Sequence, residues 1–279
     1  MMCSQESACN STNRPLMLRP FVSGEIGEKS MGETMAEPTK SMWSKLILGG
    51  SIVGAALLPI GALGSRFGLW EFILGFAFLL VGSIIAAIGV VVGIAALIAA
   101  NKRGLTGDKP AIYSGMAISV LILAVMGLQI SAGVGVPPIH NISTDVNDPP
   151  QFDVVVALRG EQANSLEYSA DENAALQQQA YPWVKTLETE RDPADSFAHA
   201  VGVLQNMGLE LVNEAPLQGL IEATATTFWF GFKDDVVVRI RPNGAGSVID
   251  VRSVSRVGLS DLGANARRIG EFLDGFAGT

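Results

Sequence analysis

The chain has 279 residues, 48% of them hydrophobic and 16% charged, where a soluble globular chain carries about 25% charged residues, so its composition leans toward the membrane class. Its net charge of −8 is uneven: residues 1–136 hold 9 Lys and Arg against 7 Asp and Glu, and residues 137–279 hold 10 against 20, an acidic balance that excludes nucleic acid as a partner. The two cysteines, Cys3 and Cys9, and two histidines leave the acidic half without a disulfide framework, a thiolate or multi-histidine metal site, or a cysteine nucleophile.

Residues 1–40 are polar and aperiodic, which predicts a disordered cytoplasmic tail. Met31, Met35 and Met42 are alternative starts within and just after it. Three uncharged runs follow, at 46–63, 72–100 and 111–136. Each is long enough to cross about 30 Å of hydrocarbon, so 41–136 is expected to be a three-helix transmembrane region.

Lys40 and Lys45 precede the first run, and Lys102, Arg103 and Lys109 lie between the second and third. The positive-inside rule then places the N-terminus in the cytoplasm and residues 137–279 outside it, in the periplasm of a cell whose inner membrane holds a multi-pass anchor. Reading the first run as a cleaved signal peptide, with Ala62-Leu63-Gly64 at the cut, keeps the same side for the domain.

Gly75, Gly82, Gly89 and Gly93 recur along the second run, and Gly127, Ser131 and Gly135 along the third. Small residues at these spacings let helix backbones approach, either among the three spans or in a homo-oligomer. The spans contain no ionisable residue, which argues against a pump or transporter.

The C-terminal part reads as α+β. Residues 152–158 suggest a short strand and 171–180 a short helix. Asp192 caps a helix from Pro193 whose stripe is Phe197, Ala200, Val201 and Leu204, ended by Gly208. His199 points away from that stripe. Strands are expected at 210–214, 220–232, 236–241 and 247–254, the last two joined by a turn at Asn243-Gly244.

With Asn243-Gly244 as the loop, Ile240 faces Ser247, Val238 faces Ile249 and Val236 faces Val251. A Lys233-Asp234 loop likewise sets Gly231, Trp229 and Thr227 opposite Val236, Val238 and Ile240. One face then collects Ile221, Ala223, Ala225, Trp229, Val236, Val238, Ile240, Ile249 and Val251. A last helix at 261–276 carries Leu262, Ala266, Ile269, Leu273 and Phe276 on its buried side. The expected fold is three transmembrane helices followed by an antiparallel sheet packed against two main helices.

The other sheet face mixes Glu222, Thr224, Thr226, Phe228, Phe230, Arg239, Arg241, Asp250 and Arg252. It is either covered by the N-terminal lead or a recognition surface. Arg252, Arg256 and Arg268 gather at the strand-to-helix junction, where Gly258 permits an unusual dihedral and Ser260 or Asp261 caps the helix. Asp250 and Asp261 are the expected ion partners of these arginines. The junction is either an ion-pair and capping cluster or an anion site, with Arg256 structural and Arg239 and Arg252 turned to a ligand.

No nucleophile elbow or phosphate-binding glycine loop is present, and no cofactor motif. Asp234-Asp235 offers paired acids in an expected turn. His140 with Asp145 and Asp148 offers at most a weak cation site.

The strings Arg252-Ser253-Val254-Ser255-Arg256-Val257-Gly258 and Asp261-Leu262-Gly263-Ala264-Asn265 with Arg268-Ile269 are the most distinctive. With Asn141-Ile142-Ser143-Thr144-Asp145, Pro149-Pro150-Gln151-Phe152, Tyr181-Pro182 and the 232–239 segment, they resemble the family catalogued as domain of unknown function 1499. The resemblance covers residues 137–276 and implies a compact extracytoplasmic domain with no established reaction.

Three functions are open at this point. The first is non-catalytic binding of an anionic or amphipathic envelope molecule, such as a lipid, through Arg239, Arg252, Arg256, Arg268, Phe228 and Phe230, with Gly258, Asp261 and Asn265 as a structural corner. The second is an assembly factor docking another envelope protein, and the third a hydrolase using acidic residues.

Overall fold

A computed structural model describes residues 41–168 and 173–278; the expectations for 1–40 lie outside the described residues. Three helices come first, α1 (Met42–Arg66), α2 (Phe72–Arg103) and α3 (Lys109–Ala132). All three are long and apolar enough to cross a membrane. The loop between α1 and α2 and the chain leaving α3 lie at the same end of the bundle, which is the end that meets the C-terminal domain.

Glycine decides how closely these helices pack. A Cβ at Gly61 would stand 2.8 Å from the Gly75 carbonyl oxygen, and one at Gly82 2.8 Å from that of Gly54. Gly89 and Gly93 face Ser119 and Met116 of α3 in the same way. The glycines of the second run therefore form the contact surface of α2 with both neighbours. Ser51 and Ser119 share a hydrogen bond of 2.9 Å between α1 and α3. Gly127 meets nothing within 4 Å, so the small-residue stripe of the third run takes no part in this packing.

The domain contains β1 (Asn141–Ser143), α4 (Val154–Leu158), α5 (Ala175–Ala180), β2 (Leu187–Thr189) and α6 (Pro193–Asn206). Then come β3 (Glu210–Ala215), β4 (Leu220–Thr226), β5 (Lys233–Asn243), β6 (Gly246–Ser255) and α7 (Ala264–Ala277). The antiparallel sheet has the order β1-β6-β5-β4-β3, and β2 also pairs with β6. Helices α6 and α7 cover one face. Ile221, Ala223, Val236, Val238, Ile240, Ile249 and Val251 form the core there with Phe197, Leu204, Ile269 and Phe276. This is the expected α+β architecture.

Several local expectations are corrected. In the β5–β6 hairpin Ile240 pairs with Ile249 and Val238 with Val251. The two loop residues are Gly244 (φ +60°) and Ala245, not Asn243 and Gly244. Glycine at the first loop position alone is the type II′ pattern. Because the shift is two residues, the core face is unchanged.

Strand β4 stops at Thr226, and 227–232 form a loop closed by the Thr227 amide donating to the Phe232 carbonyl at 2.8 Å. Ala223 thus pairs with Val236 and Ile221 with Val238, and Trp229 leaves the core face, 54% exposed. Residues 154–158 are a helix rather than a strand. Leu262 (φ +53°) and Gly263 (φ +76°) are left-handed, so α7 starts at Ala264 and Leu262 is exposed. His199 is half-buried, its ring 4.5 Å from that of Phe276.

Candidate functional site

The polar sheet face lies under the lead. Residues 144–168 cross it as a strap, and the carboxylate of Glu222, fully buried in β4, accepts hydrogen bonds from the amides of Asp153, Val154 and Val155. Those are the unsatisfied N–H groups that open a helix. A distant glutamate thus turns the valine-rich 154–158 segment into α4.

Arg252 is fully buried beside it and has no carboxylate partner among the described residues. It donates to Asn141 Oδ1 and the Pro150 carbonyl, each at 3.0 Å, and to the Leu166 carbonyl. The rings of Phe152 and Tyr168 flank its guanidinium at 5.4 and 5.7 Å. Burial pulls the guanidinium down to about 10, against the pull of Tyr168, and pushes the Tyr168 phenol up to about 12. Enclosed in this way, Arg252 holds the strap down and has no open side for the ligand expected of it.

Asp234 and Asp235 sit in β5, not in a turn, and adjacent strand residues point to opposite faces. Asp235 faces the strap, where Arg256 grips it at 2.8 and 2.9 Å, Arg159 at 2.5 Å and Thr224 at 2.9 Å. Asp234 faces α7 and pairs with Arg268 at 2.7 Å. The two carboxylates therefore cannot work as one acid pair.

Arg239 and Arg241 converge on the buried carboxylate of Asp250 at 3.0 and 2.7 Å. Arg239 also reaches Asp148 at 2.9 Å and Asp145 at 3.4 Å, so a guanidinium holds both acids of the expected cation site. The His140 ring meets the Leu259 carbonyl instead, at 3.4 Å. Among the described residues no group of three His, Cys, Asp or Glu stands ready for a metal.

The corner is held by its own side chains. Asn265, fully buried, donates to the His140 carbonyl and to Ser255 Oγ, and accepts from Ser253 and Arg268. Asp261 accepts from the amides of Gly263 and Asn265 at 2.8 and 2.7 Å. Burial pushes its carboxyl above the usual range, and those amides pull the other way. Gly258 takes φ +91°, as its place at the strand exit demands.

The six residues picked as a ligand site thus separate. Arg239, Arg252 and Arg256 lie under or beside the strap, and Arg268 lies on the α7 side. Phe228 and Phe230 leave the sheet altogether, in the loop that meets the membrane helices. Phe230 packs on Phe76 with ring centroids 4.9 Å apart, and Phe232 on Phe72 at 5.7 Å. Arg66 donates to the Thr227 and Phe228 carbonyls, both at 2.7 Å, and lies 5.4 Å over the Phe228 ring.

At this end of the domain, beside the apolar helices, Arg66, Lys233 and Arg267 are exposed and take part in no ion pair among the described residues. Arg267 also lines an open cleft between Trp183 and α7, with Gly270, Glu271 and Asp274. No local pattern marks this rim in the sequence, because its members come from α1, β5 and α7, far apart in the chain.

No curated protein matches the chain. A family model described as protein of unknown function (DUF1499) matches residues 141–276, which span β1 to the last turn of α7 and take in the strap, the corner and the paired aspartates. The domain at residues 141–276, carried on three membrane-type helices, thus belongs to the DUF1499 family.

Proposed function

We propose that the protein is a non-catalytic binding domain, held outside the cytoplasm on its bilayer anchor, that takes an amphipathic molecule with an anionic headgroup at the membrane-facing rim. One observation carries this reading. The arginines Arg159, Arg239, Arg241, Arg256 and Arg268 are matched to carboxylates within the domain, while Arg66, Lys233 and Arg267, exposed where the domain meets the helices, have no carboxylate partner among the described residues.

Guanidinium and ammonium groups at that height suit a phosphate, and the adjoining aromatic loop suits the apolar part of the same molecule. The docking face required of an assembly factor, with Phe228, Phe230 and Arg239 together, is not assembled in this fold.

The test is thermal unfolding of the full chain in nanodiscs of neutral lipid, with and without an acidic phospholipid. The reading expects the acidic lipid to raise Tm through linkage and the double variant Lys233→Gln/Arg267→Gln to lose most of that rise. Equal Tm values in both lipids would refute it. The side of the membrane is tested separately with reporter fusions: one active only in the periplasm should work after Thr279 and be silent at Gly104.

A further inference from the structure

We infer that the 227–232 loop is a second membrane contact of this chain, and that its tip, Phe228 and Trp229, enters the interfacial layer of the bilayer beside α1 and α2. The partner is the lipid surface itself.

The loop is fastened to the anchor on two sides. Phe230 and Phe232 stack on each other at 5.2 Å and lie against Phe72 and Phe76, which belong to the first two turns of α2. Arg66, the last residue of α1, holds the backbone of Thr227 and Phe228. The fit is close at the helix, since a Cβ at Gly75 would stand 2.9 Å from the Phe230 ring.

Depth follows from helix length. Helix α2 has 32 residues, about 48 Å at about 1.5 Å per residue, against about 30 Å of hydrocarbon. With that excess shared between its two ends, its first turns lie in the headgroup layer, and the loop packed on them lies at that level.

That layer is where amphipathic rings are most stable. Phe228 and Trp229 are 69% and 54% exposed on the protein alone. Their rings meet edge to face at 5.2 Å, and the loop from Thr227 to Phe232 carries no charge. A second apolar point lies at the same end, where Leu262 meets Gly133 just past α3 and Leu259 is 83% exposed. A domain whose sequence is strongly acidic thus turns an uncharged, aromatic loop toward the bilayer, with the cations Arg66 and Lys233 at its flanks.

The experiment uses the full chain in vesicles of neutral phosphatidylcholine, so its outcome is independent of any anionic headgroup. Tryptophan emission is recorded with lipids brominated high or low on the acyl chain, and the contribution of Trp229 is the part lost in Trp229→Phe. The inference expects that part to be quenched, more by the shallow bromines than by the deep ones. Tryptophan placed at the far β3–β4 turn, Leu217→Trp in the Trp229→Phe background, should be unquenched. A second reporter, Phe228→Trp in the same background, covers the case in which Trp229→Phe disturbs the loop. If both loop reporters respond no more than the Leu217→Trp control, the loop does not enter the bilayer and the inference fails.

Discussion

The guanidinium of Arg66, where the first membrane helix ends, rests on the backbone of Thr227, 161 positions later in the chain, through a hydrogen bond of 2.7 Å. A second bond of equal length reaches the Phe228 carbonyl. These contacts join anchor and domain through a loop that is otherwise closed by its own threonine. Substituting Arg66→Ala should release the loop and leave the sheet intact. Charge-assisted bonds contribute roughly 1.5–3 kcal/mol when buried, and solvent around Arg66 lowers that to about 1 kcal/mol. Hydrogen exchange should speed up several-fold at the Gly231 amide, which donates to the Thr227 carbonyl, with Val238 unchanged. Equal protection of both amides in the variant and the unmutated chain would show that the bonds do not hold the loop.

Asp235 is fully buried and gripped by two guanidinium groups and a hydroxyl. Removing it leaves Arg159 and Arg256 facing each other without a counter-charge. Asp235→Ala should cost about 3–5 kcal/mol. Arg256→Ala should cost less, because Arg159 still pairs with the aspartate. Thermal unfolding of the two variants checks the order, and equal losses would mean that the arginines act independently.

The tyrosine under the strap gives a dependence on alkaline pH. Burial raises the Tyr168 phenol to about 12 in the fold, above the unfolded value of about 10. Its contribution is fully present below about pH 10 and is lost as pH rises toward 12, because the unfolded chain gives up the proton first. Tyr168→Phe should therefore flatten the fall of Tm between about pH 10 and 12. Phenolate absorbance in the folded chain should show this tyrosine titrating late. A tyrosine titration complete by about pH 10.5, with folded structure retained, would contradict the enclosed geometry.

The long-range physics decides what the sequence could reveal. Apolar runs, heptad glycines and alternating strands are local patterns, and they placed the three helices, most of the core face and α6 correctly. The 154–158 segment has a strand's composition, but its helical form depends on Glu222, far away in the chain. Residues 227–232 continue the β-forming pattern of β4, yet the rings leave the sheet to meet Phe72 and Phe76. Asp234 and Asp235 look like a pair only until the strand turns them to opposite faces. The arginine corner was legible as a structural junction through Gly258, Asp261 and Asn265. Its true ion partners were not, because they depend on a hairpin register that moved by two residues.

The domain is seated against its own anchor, and cross-linking in native membranes tests that seating most directly. With Cys3 and Cys9 replaced by serine, the pair Phe76→Cys and Phe230→Cys should be joined within the chain by a short thiol-specific bifunctional cross-linker, because the two rings they replace lie 4.9 Å apart. The pair Phe76→Cys and Leu217→Cys, with its second member at the far turn, should not. No cross-link at the first pair, or equal yields at both, would contradict a seated domain.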